Sequence, residues 1–123
     1  MIASYFKDIE RIFNEYDYIL ETYIINKDAF SDEKGFVEGE LFFIDESRMS
    51  FVEVLDFGKN EKIKYSYHYM NQNNELVFRY DNAKHYPALK NFPHHKHIKD
   101  GVIESNEPDI RFILKEIENI VVL

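Results

Sequence analysis

Two runs of alternating residues constrain the fold of this chain more than any other feature. In each run, large apolar residues occupy every second position, and the residues between them are polar except for Val77, as in strands that bury one face. The apolar residues of the two runs are Ile63, Tyr65, Tyr67 and Tyr69, then Leu76, Phe78 and Tyr80. The pattern predicts two strands, 62–69 and 75–81, that pair across the loop 70–74 with their apolar residues on the same face. The chain is therefore expected to contain a sheet with one apolar face.

The opposite face of this predicted hairpin is polar. With the tyrosines on one side, His68, Arg79 and Asp81 project together from the other side, and Lys64 is a further candidate for the same face. An imidazole, a guanidinium and a carboxylate in one place are an unusual concentration of reactive groups. We therefore take this face as the first candidate for a functional site.

The regions that flank the hairpin predict further strands and an N-terminal helix. Residues 2–14 have apolar side chains at helical spacing, which predicts an amphipathic helix that packs on the sheet. Residues 17–26, 36–44 and 50–57 are rich in aromatic and branched residues and are separated by polar stretches. These three segments predict antiparallel strands in sequence order.

A second helix is predicted near the other end. Ser105 or Asn106 is expected to cap it, and Pro108 suits its first turn. Its apolar stripe consists of Ile110, Ile113, Leu114, Ile117 and Val121. The predicted fold is α+β: a meander-like antiparallel sheet of about five to six strands, with the N-terminal and C-terminal helices packed on one face.

Composition limits the organisation of the chain. A chain of 123 residues, of which 45% are hydrophobic, can bury one core, so residues 1–123 are expected to form a single domain. With no cysteine, disulfides and thiolate metal sites are excluded. No apolar run is long enough to span a bilayer, and the first residues do not resemble a signal peptide, so we expect a cytoplasmic protein without membrane contact.

The charge is unevenly distributed. The net charge is −8, yet residues 79–101 contain five basic and only two acidic residues. All five histidines lie between His68 and His97. A basic, His-rich segment on an acidic body is suited to phosphates, while the body is suited to a basic partner.

The segment after the central hairpin is expected to be irregular and then to form a second, short hairpin. Pro87 and Pro93 make residues 82–93 unsuitable for a regular strand or helix. A short strand follows the irregular segment, and Asp100-Gly101 predicts a tight turn at the end of that strand. In that strand, His95, His97 and Lys99 share one face, and Lys96 and Ile98 share the other.

These histidines allow more than one kind of chemistry. His95 and His97 could provide two metal ligands from one strand face, with a third from His68, His85 or Asp81. Two ligands do not make a tight site, so no metal or other cofactor is predicted.

The same residues suit cleavage of a phosphodiester without a metal. His95 and His97 would exchange protons, Arg79 and Lys96 would hold the phosphate, and His68 or Asp81 would orient an imidazole. Histidine suits both proton roles because its ordinary pKa lies near neutral pH. The further substrate-binding candidates are Lys99, His85, Asp81 and Tyr86.

The competing hypothesis is a module without enzymatic activity. In this case the basic segment docks a protein or a nucleic acid, and the histidines only contribute to a surface that could also bind metal. Two histidines and Arg79 converging on one cleft would favour catalysis. Histidines dispersed over a flat surface would favour docking.

Three stretches of the sequence stand out as motifs: Tyr65-Ser66-Tyr67-His68-Tyr69, then Phe78-Arg79-Tyr80-Asp81-Asn82-Ala83 with His85 and Pro87, then Asn91-Phe92-Pro93-His94-His95-Lys96-His97. Together they resemble a known family, the TumE toxins of prokaryotic toxin-antitoxin modules. The resemblance implies a prokaryotic toxin that is held inactive by a cognate antitoxin, commonly a helix-turn-helix DNA-binding protein. Together with the His-rich face, it leads us to expect a metal-independent endoribonuclease with RNA as its substrate. A homodimer is also compatible with the sequence.

Overall fold

The strands of this protein follow one another across the sheet in the order of the chain. The computed structural model describes residues 1–122. Its elements are α1 (Ile2–Glu15), β1 (Leu20–Ala29), β2 (Lys34–Phe43), β3 (Arg48–Asp56), β4 (Glu61–Met70), β5 (Leu76–Asp81), β6 (His95–Ile98), β7 (Gly101–Glu104) and α2 (Ile110–Val121). All seven strands form one antiparallel meander. The predicted α+β class and meander-like antiparallel sheet are confirmed, with seven strands where five to six were expected.

The central hairpin has its two apolar sets on the same face, as predicted. Tyr67 pairs with Tyr80, and His68 pairs with Arg79, between β4 and β5. Ile63, near the start of β4, is exposed, and Leu76, at the start of β5, is half-buried. The other alternating apolar residues of the two strands are buried: Tyr65, Tyr67, Tyr69, Phe78 and Tyr80. The polar residues therefore lie on the opposite face, as the alternation predicts.

Both helices cover the tyrosine face of the sheet. The buried residues of α1 are Ile2, Phe6, Ile9 and Phe13, and those of α2 are Ile110, Ile113, Leu114 and Ile117. They form one apolar cluster with the buried residues of the strands. Each such side chain stabilises the fold by about 1.5–3 kcal/mol through its removal from water. Within residues 1–122, no helix is both long and apolar enough to cross a bilayer.

Helix α2 begins later than the sequence signals predict. Asp109 is the N-cap, and its Oδ1 atom accepts a hydrogen bond of 2.7 Å from the backbone N–H of Phe112. Ser105, Asn106 and Pro108 all precede the helix. The expectation that Ser105 or Asn106 caps the helix is therefore wrong, because an equally good capping residue lies nearer to the apolar stripe.

The additional strand is β7, which pairs with β6 in a short hairpin. Ile98 pairs with Gly101, so the two-residue turn is Lys99-Asp100, one position earlier than predicted. Gly101 has φ 152°, a conformation that residues with a side chain rarely adopt. The glycine therefore allows the chain to reverse directly into β7.

A charged residue lies in the core. Glu53 is in phase with the apolar residues of β3, and its side chain is 0% exposed. Its carboxylate accepts hydrogen bonds from the hydroxyls of Tyr5 and Tyr67, and the Nζ atom of Lys62 lies 3.6 Å away. Lys62 also donates to the Tyr67 hydroxyl and to the backbone oxygen of Pro108. Burial and the neighbouring Glu53 raise the pKa of both Tyr5 and Tyr67, so both remain hydrogen-bond donors.

Candidate functional site

A row of three polar side chains crosses the open face of the sheet. His68 of β4 lies directly opposite Arg79 of β5, and Arg79 lies opposite His97 of β6. Residues paired in this way share a face, and adjacent strands lie roughly 4.8 Å apart. The guanidinium therefore comes from the strand between two strands that each carry an imidazole. We call His68, Arg79 and His97 the open row.

Asp81 lies at the centre of a second group of contacts, one step further along β5. Arg79 donates from Nε to its Oδ2 atom at 3.0 Å, and the backbone N–H of Ala83 donates to Oδ1 at 3.0 Å. The Nε2 atom of His95 lies 2.9 Å from Oδ1, and the Nε2 atom of His97 lies 3.4 Å from Oδ2. One carboxylate thus brings together a guanidinium and two imidazoles.

The burial of these residues differs sharply. The side chain of His95 is 1% exposed, whereas the side chains of His97 and Arg79 are 28% and 43% exposed. Tyr86 packs its ring against both imidazoles, with centroid distances of 4.9 Å to His95 and 5.9 Å to His97. The irregular segment between β5 and β6 therefore covers His95 and leaves His97 accessible.

A hydrogen bond holds the buried His95 ring on one side. Its Nδ1 atom lies 2.9 Å from the backbone oxygen of Pro93, which can only accept, so Nδ1 carries a proton and donates it. Its other nitrogen faces Asp81. A buried ring held in this way is not placed to exchange protons with a substrate. This geometry differs from the direct proton transfer that the sequence suggested for His95.

Three other residues that the sequence proposed lie outside this group. Lys96 projects to the core face, where Nζ donates to Glu116 at 2.8 Å and lies 4.9 Å from the centre of the Tyr80 ring. It is therefore not placed to hold a phosphate beside Arg79. Lys99 is exposed in the turn of the last hairpin. His85 is exposed as well, with its ring 6.3 Å from that of Tyr86.

A cavity of about 230 Å³ adjoins Arg79 and Asp81. Lys64 and Lys84 also line it, so three cationic side chains surround one opening. The alternation of β4 predicts that Lys64 lies on this face, whereas nothing in the sequence pattern indicates Lys84, which lies in the irregular segment. This arrangement suits an anionic ligand such as a phosphate chain.

The surroundings of the two open-row histidines favour their neutral forms. Burial, followed by the charges of Arg79, Arg48 and His97, lowers the pKa of His68 below 6.5. Burial also lowers the pKa of His97, and the nearby Asp81 opposes this effect, while His95 and Arg79 add to it. Both rings therefore favour their neutral form near neutral pH.

The lowered pKa of His68 has a consequence for stability. Below 6.5 the unfolded chain takes up a proton at His68 that the folded chain resists, so the free energy of unfolding falls as the pH decreases towards the folded-state pKa. We expect this loss to be smaller in a His68→Gln variant. Urea unfolding between pH 7.5 and 5 measures it, and NMR titration of the ring in native and denatured protein gives the two pKa values. A His68 ring that titrates in the folded protein at or above its value in urea would contradict the prediction.

The fold and the site define a small α+β protein with a cationic and His-rich cluster on one open sheet face. A family model described as Toxin TumE matches residues 7–121, nearly the whole chain, and the protein therefore belongs to the TumE toxin family. This confirms the resemblance seen in the sequence. Comparison with curated proteins found no match, and comparison with solved structures found none. Membership makes the chain the toxin of a toxin-antitoxin module and implies a cognate antitoxin as its partner.

Proposed function

We propose that this toxin cleaves RNA, as a metal-independent endoribonuclease that uses the open row. The observation that carries the proposal is the register in which Arg79 lies between His68 and His97. Cleavage of RNA by its own 2′-hydroxyl needs a base for that hydroxyl, an acid for the leaving oxygen and a cation for the phosphate. The row offers one residue for each role.

The surroundings of the two histidines assign their roles. Asp81 lies beside Nε2 of His97 and stabilises the imidazolium that forms when His97 accepts a proton, so His97 is the base, acting through Nδ1. His68 has no such carboxylate within salt-bridge distance among the described residues, and the cations Arg79 and Arg48 lie near it, so it is suited to give up a proton. His68 is therefore the acid, and the phosphate of the bound substrate offsets the charge of its protonated form.

The reaction then balances as follows. The 2′-oxygen attacks phosphorus while its proton passes to His97, and the bond from phosphorus to the 5′-oxygen breaks. His68 supplies the proton that this leaving oxygen needs. The products are a 2′,3′-cyclic phosphate and a 5′-hydroxyl, and Arg79 stabilises the negative charge on the phosphate oxygens throughout.

The cavity beside the row suits the neighbouring part of an RNA chain. Lys64 and Lys84 line it together with Arg79, and each contributes a positive charge to a protein that is otherwise acidic. Cations that contact the phosphate backbone give affinity without sequence preference. Local positive charge at this cavity therefore explains how a protein of net charge −8 can bind an anionic polymer.

The convergence of groups on Asp81 favours catalysis over docking alone. Arg79, His95 and His97 all contact one carboxylate within 3.4 Å, instead of being dispersed over the surface. A docking surface does not require an imidazole to be held by a buried acid, whereas a proton-transfer site does.

The proposal is tested with purified, tag-free protein in EDTA on an RNA oligonucleotide. A matched oligonucleotide with 2′-O-methyl groups at every position serves as the control, because it cannot supply the attacking hydroxyl. We expect cleavage of the RNA alone, with 2′,3′-cyclic phosphate ends identified by mass spectrometry. Equal cleavage of both oligonucleotides would overturn the mechanism. Intact RNA, together with growth arrest on induced expression in bacteria, would overturn the nuclease and leave a toxin that acts by docking.

A further inference from the structure

The contact between His95 and Asp81 lacks the geometry of a hydrogen bond. The two atoms lie 2.9 Å apart, yet Nε2 of His95 is buried and has no hydrogen-bond partner. Because Nδ1 of the same ring donates to the backbone oxygen of Pro93, Nε2 of the neutral ring carries a lone pair. Two electron-rich atoms therefore face each other in a buried place. A cation placed between them would make this contact favourable.

His97 completes a set of three donor atoms. One ligand atom each from Asp81, His95 and His97 all lie within 4.8 Å of one another. Donor atoms on a tetrahedral zinc ion lie roughly 3.3 Å apart, since each bond is about 2.0–2.1 Å long. Oδ1 of Asp81 lies 2.9 Å from Nε2 of His95, and Oδ2 lies 3.4 Å from Nε2 of His97, so each carboxylate oxygen is close to that spacing from one imidazole nitrogen.

We propose that Asp81, His95 and His97 bind a divalent transition-metal ion of the zinc type. Two imidazoles and one carboxylate are a ligand set for such ions, whereas Mg²⁺ prefers oxygen ligands alone. The Pro93 oxygen holds the His95 ring in the tautomer that leaves Nε2 free, which is the usual outer support of a histidine ligand. Because His97 is 28% exposed, the ion is reached from the open face.

Arg79 sets the affinity of this site. Its guanidinium already neutralises Asp81 at 3.0 Å, and a bound ion would be repelled by it. The Arg79 side chain is 43% exposed and can turn into solvent. We therefore expect an Arg79→Gln variant to bind the ion more tightly than the unaltered protein.

The site also implies a form of regulation, and this part rests on the proposed function. A metal ion on Nε2 of His97 requires the proton of the neutral ring to lie on Nδ1, the atom that would otherwise accept the proton of the 2′-hydroxyl, and it occupies the carboxylate that would stabilise the protonated ring. His97 then no longer serves as a base. Saturating Zn²⁺ is therefore expected to inhibit RNA cleavage, and EDTA is expected to restore it.

The binding test uses the full chain without an affinity tag, stripped of metal by EDTA and desalted. Co²⁺ is the probe, because its visible absorption reports coordination by protein ligands, and Zn²⁺ should displace it. Asp81→Asn and His97→Ala are each expected to weaken Co²⁺ binding at least about tenfold. The matched controls are His85→Ala and His94→Gln, which alter histidines outside the three and should leave binding unchanged.

The outcomes separate the metal site from the nuclease. Three results would overturn the metal site, whatever the protein does to RNA. They are the absence of a Co²⁺ band, Co²⁺ binding that survives in both Asp81→Asn and His97→Ala, and an equal loss of binding in the two controls. Binding by a protein that leaves RNA intact would support the site and overturn only the nuclease. Binding without inhibition of cleavage would overturn the regulatory part.

Discussion

Replacing His97 with alanine is expected to slow RNA cleavage by about 10²–10⁴-fold, the usual effect of a lost general base. The expectation follows from position: His97 is the accessible imidazole beside Asp81, and it lies opposite Arg79 in the open row. The initial cleavage rate with excess RNA measures the change. Far-ultraviolet circular dichroism and thermal unfolding establish that the variant is folded.

His94→Gln is the matched control for this experiment. The His94 ring stacks on Tyr65, a residue of the apolar face, and its Nδ1 atom lies 2.8 Å from the Tyr65 hydroxyl. Glutamine keeps a polar partner for that hydroxyl while removing the imidazole, so the cleavage rate should remain within about twofold. An His97→Ala variant that cleaves as fast as the His94→Gln control would rule out His97 as the base.

The second large effect concerns stability, and it lies on the opposite face of the sheet. Lys62→Met is expected to lower the free energy of unfolding by about 3–5 kcal/mol, because it leaves the fully buried Glu53 without a countercharge. The tyrosine hydroxyls still donate to the carboxylate, but they carry no net charge. Urea unfolding at pH 7 measures the change, which is a large fraction of a typical total stability.

Two further variants isolate the cause. Glu53→Gln in the Lys62→Met background removes the uncompensated charge and keeps an acceptor for Tyr5 and Tyr67, so the double variant should be more stable than Lys62→Met alone. Lys64→Met, two positions along β4 and exposed, should change stability by less than about 0.5 kcal/mol. If Lys62→Met costs no more than Lys64→Met, the ion pair does not stabilise the core.

Local patterns were sufficient to predict most of the fold and part of the site. The alternation in β4 and β5 predicts that His68 and Arg79 share one face and that the tyrosines share the other, and both are confirmed. The alternation in β6 likewise separates His97 from Lys96. Periodicity works here because each strand has one apolar and one polar face.

The burial of His95 could not be predicted in the same way. It depends on Tyr86, which packs over the ring from an irregular segment whose path no periodicity describes. The ion pair between Lys96 and Glu116 could not be predicted from a local pattern either, because Glu116 belongs to a helix that is distant in the chain. Glu53 lies in phase with the apolar residues of β3, so the alternation of that strand indicates that it is buried. Its pairing with Lys62 depends on how β3 and β4 align, which the alternation does not specify.

The meander order of the strands has a consequence for how the protein is made. Each strand pairs with the next one in the chain, so the sheet can grow by local steps as the polypeptide leaves the ribosome. All strands that carry the site, β4 to β6, emerge before α2. The tyrosine face behind the site stays partly uncovered until that helix docks, so the strands that carry the site are made before the helix that shields their apolar face from water.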